Sequence, residues 1–364
     1  MKDIVKKDFL AFVRLGIGNG LWDEIRDVDW PELQQESIKQ GLAAVVLDGI
    51  EELRKADGGS QSIVLPDKPV LTRWIGDVLQ NYESRYDQYR MALSSLAGFY
   101  NSHGYKMMVL KGYACGITWP TPQHRPYGDI DIWLFGRQKE ADAILIKEKN
   151  IPIDFSHHVH TVFTWKNFSV ENHLDFVNRY QNKSNSRIEK VFKELGRDDT
   201  HNLVVNGETV YVPSPDFHAL FLIRHAVNHF ASMGITLRQV LDWAFFVKRY
   251  TKEIDWGWLN RMIDEYQMRD FVNCINAICV EELGFDSSIF NDVQFDPFLK
   301  ERVLADIMNT SYEDVIPKHF FPRLYFKFMR WKENKWKREM CFKESSWSSF
   351  WCGLWSHVVK PSTI

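Results

Sequence analysis

The sequence predicts an α+β fold in which one small mixed sheet, from about 106 to 213, lies between helical stretches on both sides in the chain. Three observations predict it. Residues 107–134, MMVLKGYACGITWPTPQHRPYGDIDIWL, read as strand, glycine turn, helix start, proline-rich loop and second strand. Residues 70–103 repeat apolar side chains at three and four, through Leu79, Tyr82, Tyr86, Tyr89, Leu93 and Leu96, which is the helical period. From Pro215 the helical pattern returns and continues to about residue 310. These shifts divide the chain into an N-terminal helical region, 1–103, an α/β core, 104–213, and a C-terminal helical region, 214–364.

The elements follow in order. Asp29-Trp30-Pro31 is a helix start, with proline in the first turn and a helical pattern behind it. DGGSQSIVLPDKP is a loop, and the long helix of 70–103 ends at His103-Gly104. Its tyrosines are read as core packing. After the second strand come a helix over about 137–150 and two strands, HTVFTWKN and FSVENHLDFV. Residues 178–199 are polar and read as a loop and short helix that could cover a site. LVVNGETVYVPSP is a hairpin turning at Asn206-Gly207.

Composition narrows the class. The 364 residues are 45% hydrophobic and 26% charged, which is ordinary for a globular protein of about two domains. A net charge of −3 excludes a uniformly basic nucleic-acid coat, so any anion binding is local. Five scattered cysteines with no CxxC fit reduced thiols and a cytoplasmic setting. Asp8 and Arg14 interrupt the N-terminal apolar residues, so a signal peptide is not expected, nor is a membrane span. The stretch 318–340 carries eight Lys/Arg against two Glu, with Trp331, Trp336, Trp347, Trp351 and Trp355 interleaved through the tail. It is read as a core-capping amphipathic helix. Membrane-surface or nucleic-acid contact through 318–364 stays as the alternative.

The chemistry concentrates at the two central strands. Side chains alternate along a strand, so Asp129 and Asp131 share one face while Ile130, Ile132 and Leu134 take the other. Two neighbouring acids without an intervening cation repel, and Mg²⁺ or Mn²⁺ with oxygen ligands resolves that. Lys111-Gly112 follows an apolar strand, where a glycine lets backbone approach a phosphate and a lysine adds a point charge. Arg125, in a stiff proline-flanked loop, either clamps a phosphate or pairs with Asp129.

The segments KG, WPTPQHR and GDIDIWL resemble the nucleotidyltransferase superfamily of the DNA polymerase β type. More narrowly, they resemble a bacterial group of uncharacterised nucleotidyltransferase-like proteins, over about 90–250. The superfamily usually has Gly-Gly or Gly-Ser where this chain has Gly112-Tyr113, which matches the narrower group. The resemblance implies a nucleotidyltransferase core flanked by helical regions. It implies transfer of a nucleoside monophosphate from an NTP to an unidentified hydroxyl acceptor: a sugar, a metabolite, a protein or an RNA. Asp129, Asp131 and a third carboxylate would hold the metal and carry catalysis. Glu171, in an acid-x-His with His173, is the candidate third carboxylate, and Asp175 is its rival. Lys111, Gly112 and Arg125 would bind the nucleotide. His173, His225, His229 and Arg238 are candidate substrate contacts, the two helical histidines lying at i and i+4. Arg238 and Asp242 have the same spacing and read most simply as an intrahelical pair. An inactive nucleotide- or metal-binding module of the same fold, or an RNA- or protein-directed toxin-like transferase, are the alternatives. His157, His158 and His160 complete no known zinc spacing and are read as loop histidines, and His225 and His229 lack the glutamate of HExxH.

Overall fold

The computed structural model describes residues 3–20, 28–57, 65–179, 184–197, 201–291, 293–309, 317 and 319–343. The chain opens with α1 (Asp3–Gly16), α2 (Trp30–Lys39) and α3 (Ala43–Asp57). Asp29 caps α2, accepting from the Glu32 amide at 3.1 Å, with Pro31 in the first turn as the sequence predicts. α4 (Lys68–Val78) continues through a π turn, Leu79–Glu83, into α5 (Ser84–Ser102).

The sheet follows. β1 (Met108–Val109) leads to the one-turn α6 (Tyr113–Gly116), and β2 (Ile130–Trp133) to α7 (Gln138–Lys149). β3 (His160–Trp165) and β4 (Phe168–His173) form a hairpin whose turn residues Lys166 and Asn167 have φ of 46° and 68°. α8 (Asn185–Arg197) precedes a second hairpin, β5 (Asn202–Val205) and β6 (Glu208–Tyr211), turned at Asn206-Gly207. The strand order is β3-β4-β2-β1-β6-β5. β1–β2, β3–β4 and β5–β6 are antiparallel, while β2–β4 and β1–β6 are parallel, so the sheet is mixed as expected.

The remaining helices are α9 (Pro215–Ser232), α10 (Leu237–Tyr250), α11 (Trp256–Glu265), α12 (Arg269–Ala277), α13 (Pro297–Met308), α14 (Phe320–Glu333) and α15 (Lys335–Phe342). Among the described residues, no helix is long and apolar enough to cross a membrane.

Two cores lie on opposite faces of the sheet, and the extended stretch 107–110, centred on β1, divides between them by its alternation. Met107 and Val109 join α5, Ile130, Ile132 and Val170 in one. Met108 and Leu110 join the other, which combines α1–α4 with α9–α13. All four residues are fully buried, which is why this strand reads as an unbroken apolar run. The tyrosines of α5 pack as predicted, Tyr89 and Tyr100 being fully buried. Gln40 stitches the N-terminal helices to the C-terminal ones: its amide nitrogen donates to the Ile307 carbonyl at 3.0 Å, and its oxygen accepts from the Leu237 amide at 2.8 Å.

One expectation is corrected, and the described end of the basic tail fits the core-capping reading. The polar stretch read as a possible cover contains α8, which is docked: Ile188 and Phe192 are fully buried, and Glu189 accepts from the Phe176 and Val177 amides at 2.9 and 3.0 Å. The last described helix of the basic tail, α15, packs inward. Met340, Cys341 and Phe342 are buried, Asn334 donates to the Ser232 carbonyl at 2.9 Å, and Lys337 pairs with Asp306 at 2.6 Å. Trp347, Trp351 and Trp355 lie outside the described residues.

Candidate active site

The turn after β1 is shaped by close packing. Gly112 has φ 51° and ψ −100°, and a Cβ there would come within 2.5 Å of the Tyr89 hydroxyl oxygen. That hydroxyl donates to the Asp129 carbonyl at 3.2 Å, so the helix α5, the turn and the acidic segment meet at one point. Only glycine satisfies both the backbone angle and the space.

Asp129 sits one residue before β2 and is exposed, not within the strand as the alternation suggested. Asp131 is inside β2 and 4% exposed. The parallel register pairs Asp131 with Glu171 and Trp133 with His173, which puts Asp131, Glu171 and His173 on one face. Asn172 points to the opposite face, where its amide donates to Asp142 of α7 at 2.8 Å; Asp142 also accepts from Thr161 at 2.9 Å. This buried triad fixes the strand rotation that turns Glu171 and His173 toward the cleft. Asp175 falls beyond β4 and is taken by Arg179 at 2.6 Å and Lys193 at 3.6 Å, so Glu171, not Asp175, joins the cluster.

The electrostatics are uneven. Burial alone would raise the Asp131 carboxyl, but Lys111 Nζ at 2.8 Å from Oδ1 and His173 Nε2 at 3.1 Å hold it well below the usual range. Glu171 is pushed up to about 7 by burial and then by the charge of Asp131. Burial and Asp131 raise Asp129 as well. One lysine serves three carboxyls, and that donor set suits a divalent cation. Among the described residues, His160, Glu171 and His173 form one group able to hold a metal, their ligand atoms lying within 4.8 Å of one another.

The opposite wall is α9 and α10. His225 Nε2 lies 3.1 Å from Lys111 Nζ, and His229 Nε2 lies 3.1 Å from His225 Nε2. Burial followed by the Lys111 charge lowers both imidazoles, His229 to about 4. Arg125 is buried, and its partner is Asp242, not Asp129. Asp242 also accepts from Trp119 Nε1 at 2.9 Å and from Arg238 Nη1 at 3.2 Å. The intrahelical pair of Arg238 and Asp242 is therefore real but is one part of a larger network. Together these residues line a cleft of about 670 Å³.

The structure thus brings Lys111, Gly112, Arg125, Asp129, Asp131, Glu171, His173, His225, His229 and Arg238 to one cavity. The sequence reading missed two members, Asp242 and His160. Asp242 was seen only as a helix partner of Arg238. Behind the cavity wall, His218 lies 3.8 Å from Cys115 Sγ. His160 reads from sequence as a loop histidine, yet it opens β3 directly opposite His173.

A family model described as uncharacterised nucleotidyltransferase matches residues 26–284. Among solved structures, an antigenic nucleotidyltransferase-like protein from Paracoccidioides brasiliensis is similar over 57% of this chain and 98% of that one, at 14% identity and a TM-score of 0.33. No curated protein matches the chain.

Proposed function

The chain belongs to the uncharacterised nucleotidyltransferase family, and on that premise we propose that it is a metal-dependent enzyme moving a nucleoside monophosphate from an NTP to a hydroxyl acceptor. The observation that carries this reading is the Asp131–Glu171 register, which supplies a third carboxylate beside the Asp129/Asp131 pair. In this reading residues 104–213 are the transferase core and the helical regions 1–103 and 214–364 enclose it.

Asp129, Asp131 and Glu171 would hold Mg²⁺ or Mn²⁺. Such a cation, when bound, neutralises phosphate charge and stabilises the leaving pyrophosphate. Lys111 and the Gly112 backbone take the β- and γ-phosphates. Arg125, anchored by Asp242, adds positive charge to the same wall. Glu171 would complete the metal's ligands or act as the base that accepts the proton of the attacking hydroxyl. His173, His225, His229 and Arg238 face the substrates. The cleft volume falls within the ~300–1,000 Å³ typical of ligand sites. Positioning and charge neutralisation carry the rate.

The test is pyrophosphate release with each of the four NTPs and Mg²⁺ or Mn²⁺, run beside an Asp129→Ala/Asp131→Ala variant. α-Labelled nucleotide in a cell extract marks the acceptor. Label transferred only by the unmutated chain supports the reading. One observation favours a second reading, that of a binding module without turnover: Lys111 Nζ already neutralises Asp131 at 2.8 Å. Metal-dependent NTP binding with no labelled product would establish that instead.

A further inference from the structure

The corner of the cleft formed by the β3–β4 hairpin holds more nitrogen than phosphate chemistry requires. We propose that His160, Glu171 and His173 form a mixed nitrogen–oxygen centre for a zinc-type divalent cation, beside the Asp129/Asp131 pair and sharing Glu171 with it. The inference stands on these three side chains alone and does not depend on nucleotide transfer.

The first argument is rigidity. His160 is directly paired with His173, and Val162 with Glu171, in an antiparallel ladder. The two-residue turn Lys166–Asn167 closes that ladder and fixes its register. All three ligands therefore stand on strand backbone.

The second argument is distance. His160 Nδ1 lies 3.5 Å from Glu171 Oε2, and His173 Nε2 lies 3.7 Å from the same oxygen. Ligand atoms about 2.0–2.1 Å from a tetrahedral Zn²⁺ are separated by about 3.4 Å. Adjacent oxygens around octahedral Mg²⁺ stand closer, at about 2.9 Å. Both distances to Glu171 Oε2 are nearer the former, and the three ligand atoms all lie within 4.8 Å of one another.

The third argument is hydrogen-bond accounting. His160 Nδ1 is buried and has no hydrogen-bond partner. His173 Nδ1 lies 3.1 Å from the Asp175 carbonyl, a group that can only accept, so this nitrogen carries the proton. Its Nε2 faces Asp131 Oδ1 at 3.1 Å and Glu171 Oε2 at 3.7 Å. A backbone carbonyl holding the far nitrogen is the usual support for a metal-bound histidine. Imidazole nitrogen also selects zinc-type ions over Mg²⁺. The side chains are 14%, 25% and 6% exposed, which leaves a side open to the cleft for a fourth ligand.

The test uses the full chain stripped with a chelator, without nucleotide. Zn²⁺ titration against a chromophoric chelator should give one tight equivalent that excess Mg²⁺ does not displace. His160→Ala and His173→Ala should each weaken it about 100-fold or more, beyond the ~10–100-fold of an outer-shell change. His157→Ala, on the adjacent loop, should leave it unchanged. Co²⁺ loading should give the intense visible bands of four-coordination, and X-ray absorption of the zinc-loaded native chain should count two imidazoles. That spectrum decides the matter even if a variant misfolds. Zinc no tighter than in a His160→Ala/His173→Ala variant, or a six-coordinate Co²⁺ spectrum, would overturn the proposal.

Discussion

Arg125 and Asp242 form a two-point ion pair inside the molecule, with Nε donating to Oδ1 at 2.8 Å and Nη2 to Oδ2 at 3.0 Å across 117 residues of sequence. It pins the proline-rich loop before Asp129 to α10. Burial opposes charge on both groups, and their mutual attraction keeps both ionised.

Removing one partner leaves the other charge buried. Asp242→Ala should therefore cost about 3–5 kcal/mol. An Arg125→Met/Asp242→Leu variant should cost less than either single change. Urea unfolding of the three chains checks this, and additive losses would show that the pair is not an energetic unit.

Gly112 and Tyr89 make a second coupled pair. Gly112→Ala should cost about 1–3 kcal/mol through strained backbone and the 2.5 Å contact with the Tyr89 hydroxyl. Adding Tyr89→Phe removes the contact but not the strain. The double variant should recover part of the loss, as read from melting temperatures, and no recovery would assign the whole effect to backbone.

Much of this site was legible in the sequence because its parts lie on short-range patterns. Lys111-Gly112 and Asp129-x-Asp131 each sit at a strand end, and strand alternation assigns a face without tertiary knowledge. Glu171 was legible too, although choosing it over Asp175 required knowing where β4 ends. The Arg125–Asp242 pair was hidden, since nothing local joins a loop to a helix 117 residues later. His160 was recoverable in principle. A two-residue turn at Lys166–Asn167 makes paired positions sum to a constant, so His160 must face His173. The N-terminal helices read correctly as helices, but their partners in α9–α13 could not be read, because amphipathic faces do not name what covers them.

The two aspartates should separate stability from activity. Asp129 is exposed and makes no ion pair among the described residues, so Asp129→Asn should change stability by no more than ~0.5 kcal/mol. Asp131 is buried against Lys111 and His173, and Asp131→Asn should cost several-fold more. Under the proposed function both should lower label transfer by about 100-fold or more. Paired melts and transfer assays read the two effects apart.

Acid should loosen the fold through His218. Burial lowers its imidazole to about 4, with Asp242 opposing and Arg125 adding to the shift. Cys115 Sγ lies 3.8 Å away, and Phe246 packs on the ring. The folded state resists a proton that the unfolded chain accepts near 6.5. The stabilising contribution is therefore complete above 6.5 and lost as pH falls toward 4, in total about 3 kcal/mol. His218→Phe should flatten the stability profile in that window relative to the native chain, and parallel profiles would show that His218 does not titrate there.

Gln40 sets a timetable for the chain as it is made. Its acceptor on α13, Ile307, lies 267 residues downstream. At translation rates of roughly 5–20 residues per second, Ile307 follows Gln40 by about 13–53 s. Throughout that interval α1, α2 and α3 present their apolar faces, including Phe9, Phe12 and Leu33, with no finished core to receive them. The newborn chain thus holds these three helices against one another alone until its last core helices emerge.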